Sequence, residues 1–275
     1  MSIRTFYWHD RVISPLHFNI RKFFNRSPYF FFKIGNSGDI FTQLIIQNHY
    51  NQEAINIKKE GRRLLLVGSI GHTVKEGDLL CGIGVKSTDI PKDKFHTPIH
   101  ALRGPLSYEA FKNAGYDTSQ IKFLKDPGLL IRFYAQNLNP ILPQGAGFIP
   151  HYRERDIYLQ NMPKNMKFID IDDTPLNIAK HILESEIIYS SSLHGIIFSH
   201  ALNRPAVLVA PKTEEPIFKY QDYYASIDQA MPQLVHDIHK IDNLKKPVSP
   251  IDLTYTQDDF IFPSLSELKR LGIAN

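Results

Sequence analysis

The sequence predicts an α/β protein built on parallel sheets, and three observations carry that reading. Strand-like apolar runs alternate with helical patterns through most of the 275 residues. The strands end in Gly- or Ser-rich turns, GNSGD at 35–39, GSIGH at 68–72 and SSSLHG at 190–195, rather than in tight hairpin signals. The runs at 64–67 and 79–85 are apolar throughout instead of alternating, as strands covered on both faces are.

Taken in order, 29–34 (YFFFKI) is an aromatic run with strand propensity, and GNSGD follows it directly. Ile40, Leu44 and Ile45 then recur at helical spacing up to the polar HYNQE. Strands are expected at 64–67 and 79–85, and a helix over 104–114 with Pro105 in its first turn. Asp126-Pro127-Gly128 reads as a turn, and NLNPILPQGAG at 137–147 as a linker. Beyond it come strands at 147–150 and 167–171. A helix opened by Asp173 or Thr174 with Pro175 runs to about 184. A strand at 187–189, the SSSLHG turn, a helix over 196–202 and a strand at 206–209 complete the pattern.

Two parallel sheets are expected, in domains 1–136 and 137–245, with 246–275 packing back as a tail. The composition, 43% hydrophobic and 22% charged, is that of an ordinary globular chain. Its 32 Lys+Arg against 28 Asp+Glu leave a net +4, too small an excess to argue for nucleic acid. The single cysteine, Cys81, excludes an intramolecular disulfide framework and suits a reducing compartment. It lies in a strand run and reads as a small buried apolar residue. No apolar run reaches the ~18–20 residues that span a bilayer. The start MSIRTFYWHDR lacks the apolar core of a signal peptide. A cytoplasmic protein is expected.

Three constellations could carry chemistry. In GNSGD, the glycines Gly35 and Gly38 would admit close backbone approach. Asn36, Ser37 and unpaired helix N–H groups could hold an anion, or Asp39 could merely cap the helix. In SSSLHG, the hydroxyls of Ser190, Ser191 and Ser192 and the N–H groups up to Gly195 surround His194, which could hold a phosphate or exchange a proton; a hydroxyl-rich cap beside a structural histidine is the alternative. Arg103, directly before Gly104-Pro105, could fork onto a carboxylate or phosphate, or be a surface arginine. His151 reads as a loop histidine, and KYQDYY at 219–224, with Lys219 and Asp222, as a sugar-facing rim or ordinary surface. Metal and dinucleotide motifs are absent: there is no CxxC pair, no Walker lysine loop, and GIG at 82–84 lacks a third glycine.

In this order, GNSGD, GSIGH (with Ser69), ALRGP at 101–105, KDPGLL at 125–130, IPHY at 149–152, SSSLHGIIFSHALNRP at 190–205 and KYQDYY resemble the polysaccharide pyruvyl transferase family, especially its exopolysaccharide ketal-pyruvate branch. The resemblance implies two Rossmann-like domains facing a cleft, like the B-type glycosyltransferases. It implies transfer of pyruvate from phosphoenolpyruvate (PEP) onto two hydroxyls of a sugar in a bacterial surface polysaccharide or its precursor. A cyclic ketal forms, phosphate is released, and no cofactor is needed. Carried over by position, His194 is the candidate general acid, Arg103 the partner of the donor's anionic groups, and Asn36 and Asp39 line the opposite wall. Asp39, Asp222 and His151 are the candidate bases. Other branches have an Arg two residues before the histidine; here Ser192 stands there, so its role would fall to Arg103, Lys219 or backbone N–H groups.

A glycosyltransferase using a nucleotide sugar is the alternative reading, and a non-catalytic carbohydrate-binding protein a second. The acceptor would be lipid-linked or nucleotide-linked. Residues 17–33 mix Arg21, Lys22 and Arg26 with Phe18, Phe23, Phe24, Tyr29 and Phe30. They suit either a peripheral contact at the inner face of the cell membrane or the core of a first strand.

Overall fold

The computed structural model describes residues 2–9, 11–24, 31–243 and 248–275. Their strands are β1 (Ser2–Thr5), β2 (Glu53–Asn56), β3 (Leu64–Leu65), β4 (Leu79–Cys81), β5 (Ile99–Leu102), β6 (Phe123–Leu124), β7 (Ala146–Ile149), β8 (Met166–Phe168), β9 (Ile187–Ser190) and β10 (Ala206–Leu208). The helices are α1 (Pro15–Phe23), α2 (Ser37–Tyr50), α3 (Pro105–Asn113), α4 (Ile131–Tyr134), α5 (Arg155–Gln160), α6 (Pro175–Leu183), α7 (Leu193–Ala201), α8 (Phe218–Ser226) and α9 (Leu265–Arg270).

Two sheets result, parallel throughout: six strands in the order β2-β1-β3-β4-β5-β6 and four in the order β10-β9-β7-β8. Both are Rossmann-like. Each reverses its winding once, between β1 and β3 in the first and between β7 and β9 in the second. In such sheets ligands bind beyond the carboxyl ends of the strands at these reversals. The loops that leave β1, β3, β7 and β9 are therefore where a site is expected.

The sheets share one core. α2 places Phe41, Ile45 and Ile46 on its buried face. α6 buries Ile178, Ala179 and Ile182, and α7 is buried over all nine residues. All three meet in a single apolar cluster, with the Phe41 and Phe198 rings 5.2 Å apart. α6 starts where Thr174 accepts the Asn177 N–H and Pro175 supplies a helical φ at no cost in hydrogen bonds. At the other end of the chain, Ile273 and Ala274 pair with β1: the Arg4 N–H donates to the Ile273 carbonyl at 2.8 Å. Cys81 is fully buried in β4, where burial pushes its thiol well above the usual range.

Three expectations need correction. Of the aromatic run at 29–34, residues 31–34 form no strand; Phe32 makes a single bridge to Val12, and Tyr29 and Phe30 lie outside the described residues. The strand that begins the sheet is β1, in the SIRT segment, too short and too polar to stand out. The run at 79–85 stops as a strand at Cys81, because the chain turns at Gly82 with a φ of +115° that favours glycine. Finally, 219–224 is not a rim. It lies within α8, with Tyr220, Tyr223, Tyr224, Lys219 and Asp222 all buried.

Candidate active site

A cavity of about 390 Å³ opens at both reversals. Trp8 and His9 reach it from the loop after β1, Gly68, Ser69, Ile70 and His72 from the loop after β3. His151, Tyr152 and Arg153 come from the loop after β7, and Ser192, Leu193 and His194 from the end of β9 into α7. Asn36 and Asp39 add the start of α2. Lys86, Glu215 and Lys219 close the remaining side, and Arg11 and Phe32 form part of the rim.

Two helix N-termini meet at this cavity. At α2, Asn36 accepts the Gly38 N–H at 3.2 Å. At α7, Ser192 occupies the cap position without a side-chain hydrogen bond, and the helix's first N–H groups lie at the wall. Such ends favour anions. The α2 end is held from the second sheet. Asp172 accepts N–H groups from Lys33 and Ile34 at 2.8 Å and Gly35 at 3.0 Å, while Arg155 bridges Asp172 and Asp170. The Ser37 N–H donates to the Ile171 carbonyl at 2.9 Å. Asp170, Asp172 and Arg155 were not singled out in the sequence; the acidic IDIDD stretch at 169–173 was the available signal.

The expected site residues divide accordingly. Asn36, Asp39, Ser69, His151, Ser192, His194 and Lys219 reach the cavity. Gly35, Ser37, Ser190, Ser191, Gly195, Arg103 and Asp222 lie behind its wall. Ser190 Oγ accepts the Ser192 N–H at 3.0 Å, and Ser191 donates to Glu154 at 2.5 Å while accepting the His151 N–H at 2.8 Å. These hydroxyls shape the turn rather than face a ligand. Arg103 is fully buried. Its Nε donates to Asp222 at 2.8 Å, Nη1 to Ser69 at 2.6 Å and Nη2 to the Val85 carbonyl at 2.8 Å. Each of its three guanidinium nitrogens thus donates within the protein, and Nη1 holds Ser69 at the cavity wall. Asp222 also accepts from the Ser107 N–H and hydroxyl. His72, Lys86 and Glu215 also line the cavity; His72 ends the GSIGH motif, of which only Ser69 was singled out, and nothing in the local sequence marks Lys86 or Glu215.

Charge at the cavity favours an anion. Arg11, Lys86, Arg153 and Lys219 line it, against Asp39 and Glu215. Glu215 is a hub: Lys219 Nζ lies at 2.7 Å, Arg153 at 3.3 Å and His151 Nε2 at 3.5 Å. Burial would raise its carboxyl, but Lys219 and His151 outweigh that and hold it below the usual range. Burial, then the Lys219 ammonium, pull His151 down to about 3. Burial, then Arg103 and Lys219, pull His194 down to about 3, so its ring is neutral at neutral pH. Asp39 goes the other way. Burial pushes it up to about 7 against the opposing pull of Lys219 and Lys86. A carboxyl still partly protonated at neutrality lines the same cavity as a neutral imidazole, the pairing from which acid and base roles arise.

His194 Nε2 lies 4.0 Å from Asp126 Oδ1, too far for a hydrogen bond, and neither that nitrogen nor Asp126 Oδ2 has a partner. Across the ring, Gly38 packs against Nδ1 and Cγ so closely that a methyl group there would collide with them. Gly38→Ala should therefore displace His194 while sparing the fold. A crystal structure or histidine NMR shift unchanged by the substitution would refute this contact.

Residues 82–213 match the family model for polysaccharide pyruvyl transferase. Over that span the chain is similar to the polysaccharide pyruvyl transferase family, an enzyme family. The matched span includes Arg103, Asp126, His151 and the 190–195 turn. Asn36, Asp39, Ser69 and Lys219 lie outside it. The chain is 28% identical over 210 residues to an uncharacterized protein, L143, of Acanthamoeba polyphaga mimivirus, covering 71% of this chain and 72% of the relative. It is also similar, at a TM-score of 0.43 and 12% identity, to a solved structure of the uncharacterized protein KP1_0663 from Klebsiella pneumoniae subsp. pneumoniae NTUH-K2044, covering 80% of this chain and 100% of that one. Among the described residues no helix is long and apolar enough to cross a membrane.

Proposed function

We propose that this protein transfers pyruvate from PEP onto two hydroxyls of one sugar residue, forming a cyclic ketal and releasing phosphate. The observation that carries this is the meeting, in one cavity, of a carboxyl protonated near neutrality, a neutral imidazole and an anion-attracting wall. PEP needs all three. Its phosphate and carboxylate need cations and N–H donors, here Lys219, Lys86, Arg153 and the α7 N-terminus. Its methylene carbon needs a proton, and the attacking hydroxyl must lose one.

In this reading Asp39 gives its proton to the methylene carbon, which becomes a methyl group and leaves an oxocarbenium-like centre at C2. A sugar hydroxyl attacks C2 and passes its proton to His194 Nε2. Phosphate then leaves with the electrons of its C–O bond. The second hydroxyl closes the ring and its proton passes out with the phosphate. His194 is thus the base and Asp39 the acid, whereas the resemblance implied His194 as the acid, because burial and neighbouring cations disfavour the imidazolium. Asp126 Oδ1, 4.0 Å from Nε2, supports the imidazolium once it forms. We read the α7 side as the donor half and the β1 and β3 loops as the acceptor half, two Rossmann-like units placed as in the B-type glycosyltransferases.

Incubation with PEP and glycan acceptors, free, lipid-linked and nucleotide-linked, tests the proposal. Mass spectrometry should find one acceptor gaining a pyruvate less one water, with equimolar phosphate. Sugar transfer from a nucleotide sugar, with PEP inert, would overturn it. His194→Ala should lose about 10²–10⁴-fold in turnover, the worth of a positioned proton-transfer group. Full activity in that variant would remove His194 from the reaction.

A further inference from the structure

We propose that α1 is a docking face for an anionic lipid bilayer. Only Phe18 of its nine residues is buried. Leu16, Ile20, Phe23 and the following Phe24 are 69%, 45%, 83% and 61% exposed. At the 100° per residue of a helix, these four fall on one stripe, and Phe18 falls on the opposite side. The helix therefore turns its larger apolar face to solvent, against the usual amphipathic arrangement. Helices this short are marginal in water without a partner for that face.

The charge around the stripe selects the partner. Arg21 lies toward one edge of it in the last turn, and Lys22 adds a second cation on the far side of the same turn. From residue 11 to residue 38 the sequence has Arg11, Arg21, Lys22, Arg26 and Lys33 and no Asp or Glu; Arg26 lies outside the described residues. An exposed apolar stripe in a segment whose charged side chains are all cationic is what an in-plane helix presents to anionic headgroups, its aromatic side chains bedded at the acyl boundary. The face is also continuous with the cavity rim. The Ile13 N–H donates to the Phe32 carbonyl and the Phe32 N–H to the Arg11 carbonyl, both at 2.9 Å, and Arg11 and Phe32 line the cavity. A chain seated this way would hold the cavity mouth near the membrane, where a lipid-linked acceptor would present its sugar. That last step rests on the proposed function, whereas the docking itself does not.

Co-sedimentation of the full chain with vesicles tests it without PEP, so its failure is distinct from failure of the transfer reaction. Binding is expected to phosphatidylcholine vesicles containing phosphatidylserine and not to phosphatidylcholine alone, and it should weaken as salt rises. Arg21→Gln and Lys22→Gln should each weaken it by about fivefold. Phe23→Ser with Phe24→Ser should abolish it while melting temperature and activity on a soluble acceptor stay unchanged. Equal behaviour with both vesicle types, or of the double variant and wild type, would overturn the proposal. So would a dimer in solution that the double variant loses, since a second copy would then cover the stripe.

Discussion

Asp39→Asn is expected to lose about 10²–10⁴-fold in pyruvyl transfer and, at the same time, to melt at a higher temperature than wild type above neutral pH. Both effects follow from a carboxyl raised from 3.8 to about 7 in the folded chain. Between those values the folded protein holds a proton that the unfolded chain has released. The stability this group contributes is complete below the unfolded value and is lost as pH rises through the folded value. Asparagine keeps the neutral shape without ionising, so the variant escapes that loss, and the two melting curves should converge in acid. The wild-type kcat/KM should fall as pH rises past about 7, where Asp39 loses the proton it donates, and the variant's residual rate should show no such step. Wild-type turnover in Asp39→Asn would remove it as the acid. A melting temperature at or below that of wild type across the pH range would show that burial does not strain this carboxyl.

Arg103→Ala is expected to act on the fold before it acts on the donor. Arg103 and Asp222 pair at 2.8 Å with both side chains essentially sealed from solvent. Truncating the arginine strands a buried carboxylate, a loss of about 3–5 kcal/mol. For a chain of this size that lowers the melting temperature by roughly 6–20 °C. Adding Asp222→Asn should recover part of the loss, because the stranded charge is removed with its partner. Activity should fall as well, since Ser69 loses the guanidinium that orients it at the cavity wall. A stable Arg103→Ala protein with only a weakened response to PEP would reinstate the direct donor contact expected from the sequence.

Much of the second sheet was legible because its signals are local. Thr174-Pro175 starts α6 by capping chemistry, and β7, β9 and β10 are short apolar runs bounded by turn residues. The first sheet was harder to read. β1 and β2 are four residues each with mixed polarity, and β3 and β6 are two each. Strands so short take their conformation from the neighbours they pair with more than from their own side chains. In α8 the polar letters of KYQDYY misled, because a buried lysine and aspartate are affordable only where Glu215 and Arg103 meet them.

The same division runs through the site. Sequence alone marked the parallel α/β plan, the Gly- and Ser-rich strand ends and the histidine in SSSLHG, all properties of a few neighbouring residues. Folding decided which of these polar groups line the cavity and which are tied up in the scaffold. Arg103 finds Asp222 119 positions away, and Gly35 finds Asp172 137 positions away. Those contacts withdraw an apparent anion-binding arginine into the interior and fix the start of α2. Burial likewise decided protonation, since a carboxyl and an imidazole are shifted by the water they lose and the charges packed around them. The proposed roles of Asp39 and His194 rest on that shift.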